Sequence, residues 1–201
     1  ADSDGDDTYR SASLAQAGVL FGCAALLDER GNDQYTGFHH VQSAAHAGLA
    51  ILTDLEGNDN YNAASAGQAY ADVAGLAVLT DCAGDDLYCA GRVRVDYERH
   101  WHRRQSLAQG FATGMRPAAG GGVAVLLDAA GNDTYIADVY GQGVGYWYAL
   151  GMLLDLDGQD SYQIYEYGQG AGIHLSSGLL ADFAGDDTYY GMSLAQGAAH
   201  D

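Results

Sequence analysis

Fourteen aspartates of this chain stand in two columns. Asp2, Asp28, Asp54, Asp81, Asp128, Asp155 and Asp182 each precede a glycine by three residues; Asp7, Asp33, Asp59, Asp86, Asp133, Asp160 and Asp187 each follow it by two. The shared context is a pentapeptide, G-[NDQ]-D-x-Y, beginning at Gly5, Gly31, Gly57, Gly84, Gly131, Gly158 and Gly185. Carboxylates accept hydrogen bonds and ligate hard cations, so the columns offer turn closure or metal coordination. Turn closure alone would explain one copy. The first Asp would accept the turn's own N–H groups, Gly would supply positive φ, and Asn or Asp beside it would tolerate the left-handed conformation.

Seven copies pose a different problem if they stack, and the spacing says that they do. The glycines recur at intervals of 26, 26, 27, 47, 27 and 27 residues. Tyr follows the second Asp by two residues in every unit, and seven residues later comes Gln (Gln16, Gln42, Gln68, Gln142, Gln169 and Gln196), with Gln109 filling the column after an insertion. Two residues before the first Asp is Leu (Leu26, Leu52, Leu79, Leu126, Leu153, Leu180), and four before it is Ala or Gly. A period of two in a short aliphatic run bounded by Gly and Asp predicts a strand with Leu and the small residue on one face. No capped segment with a 3.6-residue period predicts a helix.

Short strands with identical columns predict an all-β chain: a parallel β-solenoid, or β-helix, of seven 26–27-residue coils with an insertion in the fourth. Residues 1–201 read as a single repeat domain, and residues 89–122 as the part of the fourth coil that holds two insertions. Each sequence column becomes a spatial ladder with a rung about every 4.8 Å. Leu and small residues are expected to fill a narrow core, and Gln to form an inward amide ladder like the stacked amides of cross-β structures. Tyr is expected to stack over a core corner with its hydroxyl reaching water. A leucine-rich repeat would need L-x-x-L-x-L, and a propeller blade about 40 residues; neither is present.

Carboxylates stacked about 4.8 Å apart repel by about 1 kcal/mol per pair in water and by several at an effective dielectric of about 20. Cations between the coils would remove that penalty. Calcium suits the donors, because it takes six to eight oxygens in flexible geometry, whereas magnesium demands a stricter octahedron. All fourteen column aspartates are therefore candidate metal ligands. The alternative is a ladder held by backbone N–H donors and shifted carboxyl pKa values. The G-[ND]-D-x-Y turn, as in "GNDTY" at Gly131, resembles that of the RTX, or haemolysin-type, calcium-binding repeats of secreted bacterial proteins. The resemblance implies calcium held between successive coils. It covers the turn only, since that family repeats every nine residues and this chain every 26 or 27.

Both insertions fall in the fourth coil. The first, "GRVRVDYERHWHRRQ", holds five of the chain's eight basic residues, and the second, "GMRPAAGGG", adds Arg116 and the only Pro. Insertions into repeats map to loops that often bind. Arg99, His100, Trp101, His102, Arg103 and Arg104 are the candidate ligand or partner site, for a protein or a polysaccharide. The same loop could instead fold back as a charge clasp on the Asp ladders. Alternating His100 and His102 could face one side of a strand as metal ligands, and Asp96, Glu98 and His100 could do acid–base chemistry, but no catalytic motif accompanies them. The aromatic residues Tyr140, Tyr146, Trp147, Tyr148, Tyr165 and Tyr167 form a second enrichment; Tyr140 and Tyr167 share a column and should stack.

A net charge of -19 with no Lys argues against binding nucleic acid or an anionic membrane surface. No apolar run of about 20 residues predicts a membrane span, and no signal peptide opens the chain. Cys23, Cys82 and Cys89 do not form a disulfide framework; Cys82 and Cys89 flank one turn and could pair or stay idle. The expectation is a non-enzymatic acidic scaffold or binding module, steadied by calcium, extracellular or periplasmic, with flanking domains or an end-to-end oligomer beyond its terminal coils. The alternative is a solenoid enzyme or carbohydrate-binding protein with its site at the basic insertion.

Overall fold

A computed structural model describes residues 1–201. The chain is all-β with no helix, a parallel β-solenoid of about seven turns. Its strands form two long sheets, of 10 and 11 strands. One sheet carries the Tyr strands, such as Asn60–Gly67 and Ser161–Gly168; the other carries the Leu strands, such as Val123–Asp128 and Leu150–Asp155. Pairing between coils is parallel and in register with the repeat. Leu52 lies beside Leu79, Leu79 beside Leu126, and Leu126 beside Leu153. The second of these pairs bridges the 47-residue interval, so the insertions leave the stack intact.

Alternation along the Leu strands sends Ala50, Leu52, Ala77, Leu79, Ala124, Leu126 and Leu153 inward, where all are fully buried. Opposite them Tyr9, Tyr35, Tyr61, Tyr88, Tyr135, Tyr162 and Tyr189 form one continuous stack, with ring centroids 4.7–4.8 Å apart and planes within 5°. Rings offset along a sheet at the strand spacing gain both area burial and favourable aromatic contact. The hydroxyls of the five inner rings, Tyr35 to Tyr162, do not reach water; each turns inward to an Asp, as described below.

The pentapeptide glycine is needed for space more than for a left-handed φ. A Cβ on Gly57 would lie 1.6 Å from the carbonyl oxygen of Gly31, and one on Gly131 would lie 1.6 Å from that of Gly84. Successive turns thus nest backbone on backbone. The residue after it is not left-handed as expected. Asn32, Asn58, Asp85 and Asn132 instead form an exposed ladder, in which the side-chain oxygen of one coil accepts the N–H of the next, from Asn58 to Asn32 at 3.0 Å and from Asn132 to Asp85 at 2.8 Å.

Left-handed conformation concentrates at the Gln corner. His40, Gln42 and Ser43 have φ of 53°, 52° and 62°, and the same three positions repeat this in other coils. The Gln side chains do not bond to each other. Gln42 Nε2 donates to Tyr35 O at 2.8 Å and to Asn62 O at 3.1 Å, and Gln68 does likewise to Tyr61 O and Cys89 O. One amide therefore ties its own coil to the next at a bend where the sheet ladder is interrupted.

Candidate functional site

The two Asp columns face each other inside the turn edge of the solenoid. Asp28, Asp54, Asp81, Asp128 and Asp155 are fully buried, and Asp33, Asp59, Asp86, Asp133 and Asp160 are at most 3% exposed. The Tyr stack positions the first column. Tyr35 donates its hydroxyl to Asp54 Oδ2 at 2.7 Å, Tyr61 to Asp81 at 2.7 Å, Tyr88 to Asp128 at 2.8 Å, and Tyr135 to Asp155 at 2.7 Å. Tyr162 is shared between Asp155 and Asp182. Backbone positions the second column. The N–H of Asp33 donates to Asp59 Oδ1 at 2.6 Å, that of Asp59 to Asp86, and that of Asp86 to Asp133.

These bonds use one oxygen of each carboxyl. The other, Oδ1 in the first column and Oδ2 in the second, is buried without a partner in Asp28, Asp54, Asp81, Asp128 and Asp155 and in Asp33, Asp59, Asp86, Asp133 and Asp160. Carboxylate oxygens come within 4.8 Å of one another in successive triads: Asp7–Asp28–Asp33, Asp33–Asp54–Asp59, Asp59–Asp81–Asp86, Asp86–Asp128–Asp133 and Asp133–Asp155–Asp160. Burial pushes the carboxyls up: Asp59 and Asp86 to about 8, Asp133 to about 9, Asp160 to about 7 and Asp33 to about 6. Neighbouring ladder carboxylates push the same way, and the backbone donors pull against them. Asp2 lies outside this buried run and accepts the N–H of Ser3. Asp182 and Asp187 are only partly covered.

The basic insertion meets other acids. An antiparallel hairpin of Val95–Asp96 and His100–Ala108 lies over the aromatic patch. Arg99 sits 5.2 Å from the ring centroids of both Tyr140 and Tyr167, and Arg103 sits 3.6 Å above Tyr165. Arg103 pairs with Asp138 at 3.3 Å, and His100 with Glu166 at 2.7 Å. The partners Asp96, Glu98, Asp138 and Glu166 are not ladder residues. The charge-clasp expectation fails in that form: the hairpin neutralises acids on the outer face and never reaches the turn edge.

Trp101 is 77% exposed, His102 is exposed, and Arg104 bonds only the neighbouring backbone through its side chain. Tyr140 and Tyr167 stack at 5.0 Å, as their shared column predicts, and both are buried. They form part of an outer core and do not offer a bare platform. All three cysteines are free.

Sequence reasoning missed one constellation. His39, His40, His46, Tyr70, Asp72 and Arg94 line a cavity of about 650 Å³ on the outer side of the Gln corner. His46 Nδ1 and Asp72 Oδ1 are 2.5 Å apart, because the register that sets Ala45 beside Ala71 sets His46 beside Asp72. The signal was present: three of the seven His fall within "FHHVQSAAH", bracketing Gln42. A stacked triad of buried carboxyls with unpaired oxygens, repeated coil after coil, defines an acidic β-solenoid with a candidate cation ladder. No protein-family model, curated protein or solved structure matches the chain.

Proposed function

We propose that this chain is a non-enzymatic acidic β-solenoid, a rigid scaffold or binding module whose stacked turns hold calcium, within a larger secreted bacterial protein. The observation that carries the reading is the pair of buried, partnerless carboxylate oxygens contributed by each coil. Burying an ionised carboxylate without compensation costs several kcal/mol, and five coils in succession would incur that cost if their carboxyls stayed ionised and unpaired. A divalent ion between rungs would supply the missing partner to oxygens from two coils at once. Asp59 belongs to two triads, as do Asp33, Asp86 and Asp133, so the sites form a continuous row. The donors are hard oxygens without thiolate or imidazole, which favours calcium over zinc.

A second reading has its own support: the carboxyls of Asp54 and Asp59 lie within hydrogen-bonding reach of each other, so a shared proton could stand where the cation would. Metal analysis of the purified protein and thermal melts with and without chelator separate the two. Bound calcium and a melting temperature lowered by tens of degrees in chelator are expected; a metal-free protein with an unchanged melt supports the protonated ladder. A carbohydrate site at Arg99 to Arg104 has weaker support, since Arg99, His100 and Arg103 are engaged within the chain.

A further inference from the structure

We infer that the groove outside the Gln corner binds a carboxylate-bearing oligosaccharide, with Arg94 holding the carboxylate and the His40, His46 and Asp72 side chains reading the sugar hydroxyls. The inference places a site for the binding-module half of the proposed function and is independent of cations in the ladders.

Three columns build the groove. Two residues before Gln, the side chains run Leu14, His40, Ala66, Leu107 and Tyr140, and the register sets them one above another. The column narrows at Ala66, which opens the cavity of about 650 Å³; a second cavity of about 210 Å³ continues it under the hairpin, and Tyr70 and Arg94 line both. Phe111 and Tyr140 extend the aromatic wall into the second cavity.

Arg94 is the one basic residue that lines both cavities, and its guanidinium makes no ion pair, hydrogen bond or ring contact within the chain. A planar guanidinium recognises a carboxylate through two parallel bonds. Around it the groups mix donors and acceptors, as a ring of hydroxyls requires. The Asp72 carboxylate engages His46 Nδ1, which leaves Nε2 of that ring for a ligand. Burial among apolar neighbours holds the His40 imidazole toward its neutral form, able to donate and accept. Tyr70, buried and edge-on to His40 at 5.4 Å, closes the floor of the groove.

An extended acidic peptide fits less well. Recognition of a peptide backbone by strand addition needs an open edge. Beside this groove the strand Phe111–Thr113 is paired on both sides, with Tyr70–Ala71 and with Gly145–Tyr146. The chain's own negative charge opposes any polyanion, but at physiological salt it is screened beyond about 8 Å, so the local guanidinium decides.

Calorimetric titration of the protein as purified with trigalacturonate, its methyl ester and triglutamate tests the assignment. Trigalacturonate should bind, and the ester and triglutamate at least tenfold more weakly. Arg94→Ala should weaken binding of trigalacturonate at least tenfold with an unchanged melting temperature. Ala66→Leu should abolish it; Leu14 and Leu107 occupy the same column with the same left-handed φ, so the backbone accepts the change. Equal binding of acid and ester, an unaffected Arg94→Ala protein, preference for triglutamate, or no binding of trigalacturonate would each overturn the inference. A calcium-dependent melt shared by both variants and the parent keeps these results separate from the fate of the ladder reading.

Discussion

At the scale of the residue, the central unit is a Tyr hydroxyl bonded to a buried Asp. Tyr88→Phe removes the only donor to Asp128 Oδ2 other than neighbouring ladder groups, at 2.8 Å and full burial. Leaving a buried acceptor unmatched costs about 1–3 kcal/mol, so urea unfolding should show a loss of that size, and Tyr189→Phe, at 38% exposure, should show less. Asp86→Asn makes a sharper test, because Asp86 belongs to two triads. In calcium the variant should melt below the parent, having lost a ligand from two sites. In chelator at pH 9, above the value of about 8 at which Asp86 gives up its proton, it should melt above the parent, because a neutral amide relieves like-charge repulsion. The same order of melting in both conditions would contradict a cation ladder. The Tyr–Asp bond was not legible from spacing, since it joins residues 19 or 20 apart around the cross-section, or 40 across the insertions, a separation that no column displays.

At the scale of the element, strand register and the solenoid class were legible because each coil contacts only its neighbours, so a sequence period becomes a spatial ladder without further information. The inward Leu and Ala faces and the stacking of Tyr140 on Tyr167 follow from that rule. The hairpin over the aromatic patch breaks it. Its partners, Asp138 and Glu166, lie in later coils at positions that carry no repeated acid, so nothing in the insertion's own sequence pointed to them. Arg103→Ala should remove the guanidinium's ties to Asp138 and Tyr165, leaving the Arg104 N–H bond to Asp138 and the His100 contact with Tyr165. Hydrogen exchange should quicken across residues 100–105. Global melting should shift little, because a half-exposed pair contributes about 0–1 kcal/mol. A large global loss would mean that the hairpin is integral to the stack.

At the scale of the whole molecule, the net charge of -19 overstates the charge the folded chain must carry unaided. Carboxyls raised to about 8 in Asp59 and Asp86 and about 9 in Asp133 keep protons, in the absence of cations, that the unfolded chain releases near its ordinary 3.8. The folded state then binds more protons, so this contribution is complete below about pH 4, fades steadily as pH rises above that and is gone above about pH 9. In chelator the melting temperature should therefore fall from pH 5 to pH 9. With calcium the fall should flatten, because the ion takes the place of the protons and its stabilising effect grows with pH. Melts across that range, with and without calcium, check both signs; a chelated protein more stable at pH 9 than at pH 5 would refute the raised carboxyls.

The sequence by itself determined the period, the strands, the columns and hence the solenoid, because in-register stacking copies a linear repeat directly into space. Only the tertiary structure decided what those columns face. The bend at each Gln corner sets Tyr hydroxyls against aspartates within the coil, turns the Gln amides onto backbone carbonyls instead of one another, and brings His46, Asp72 and Arg94 around one groove on the outside. Contacts across the section depend on the angle between strands and on where an inserted hairpin comes to rest. A repeat length encodes neither.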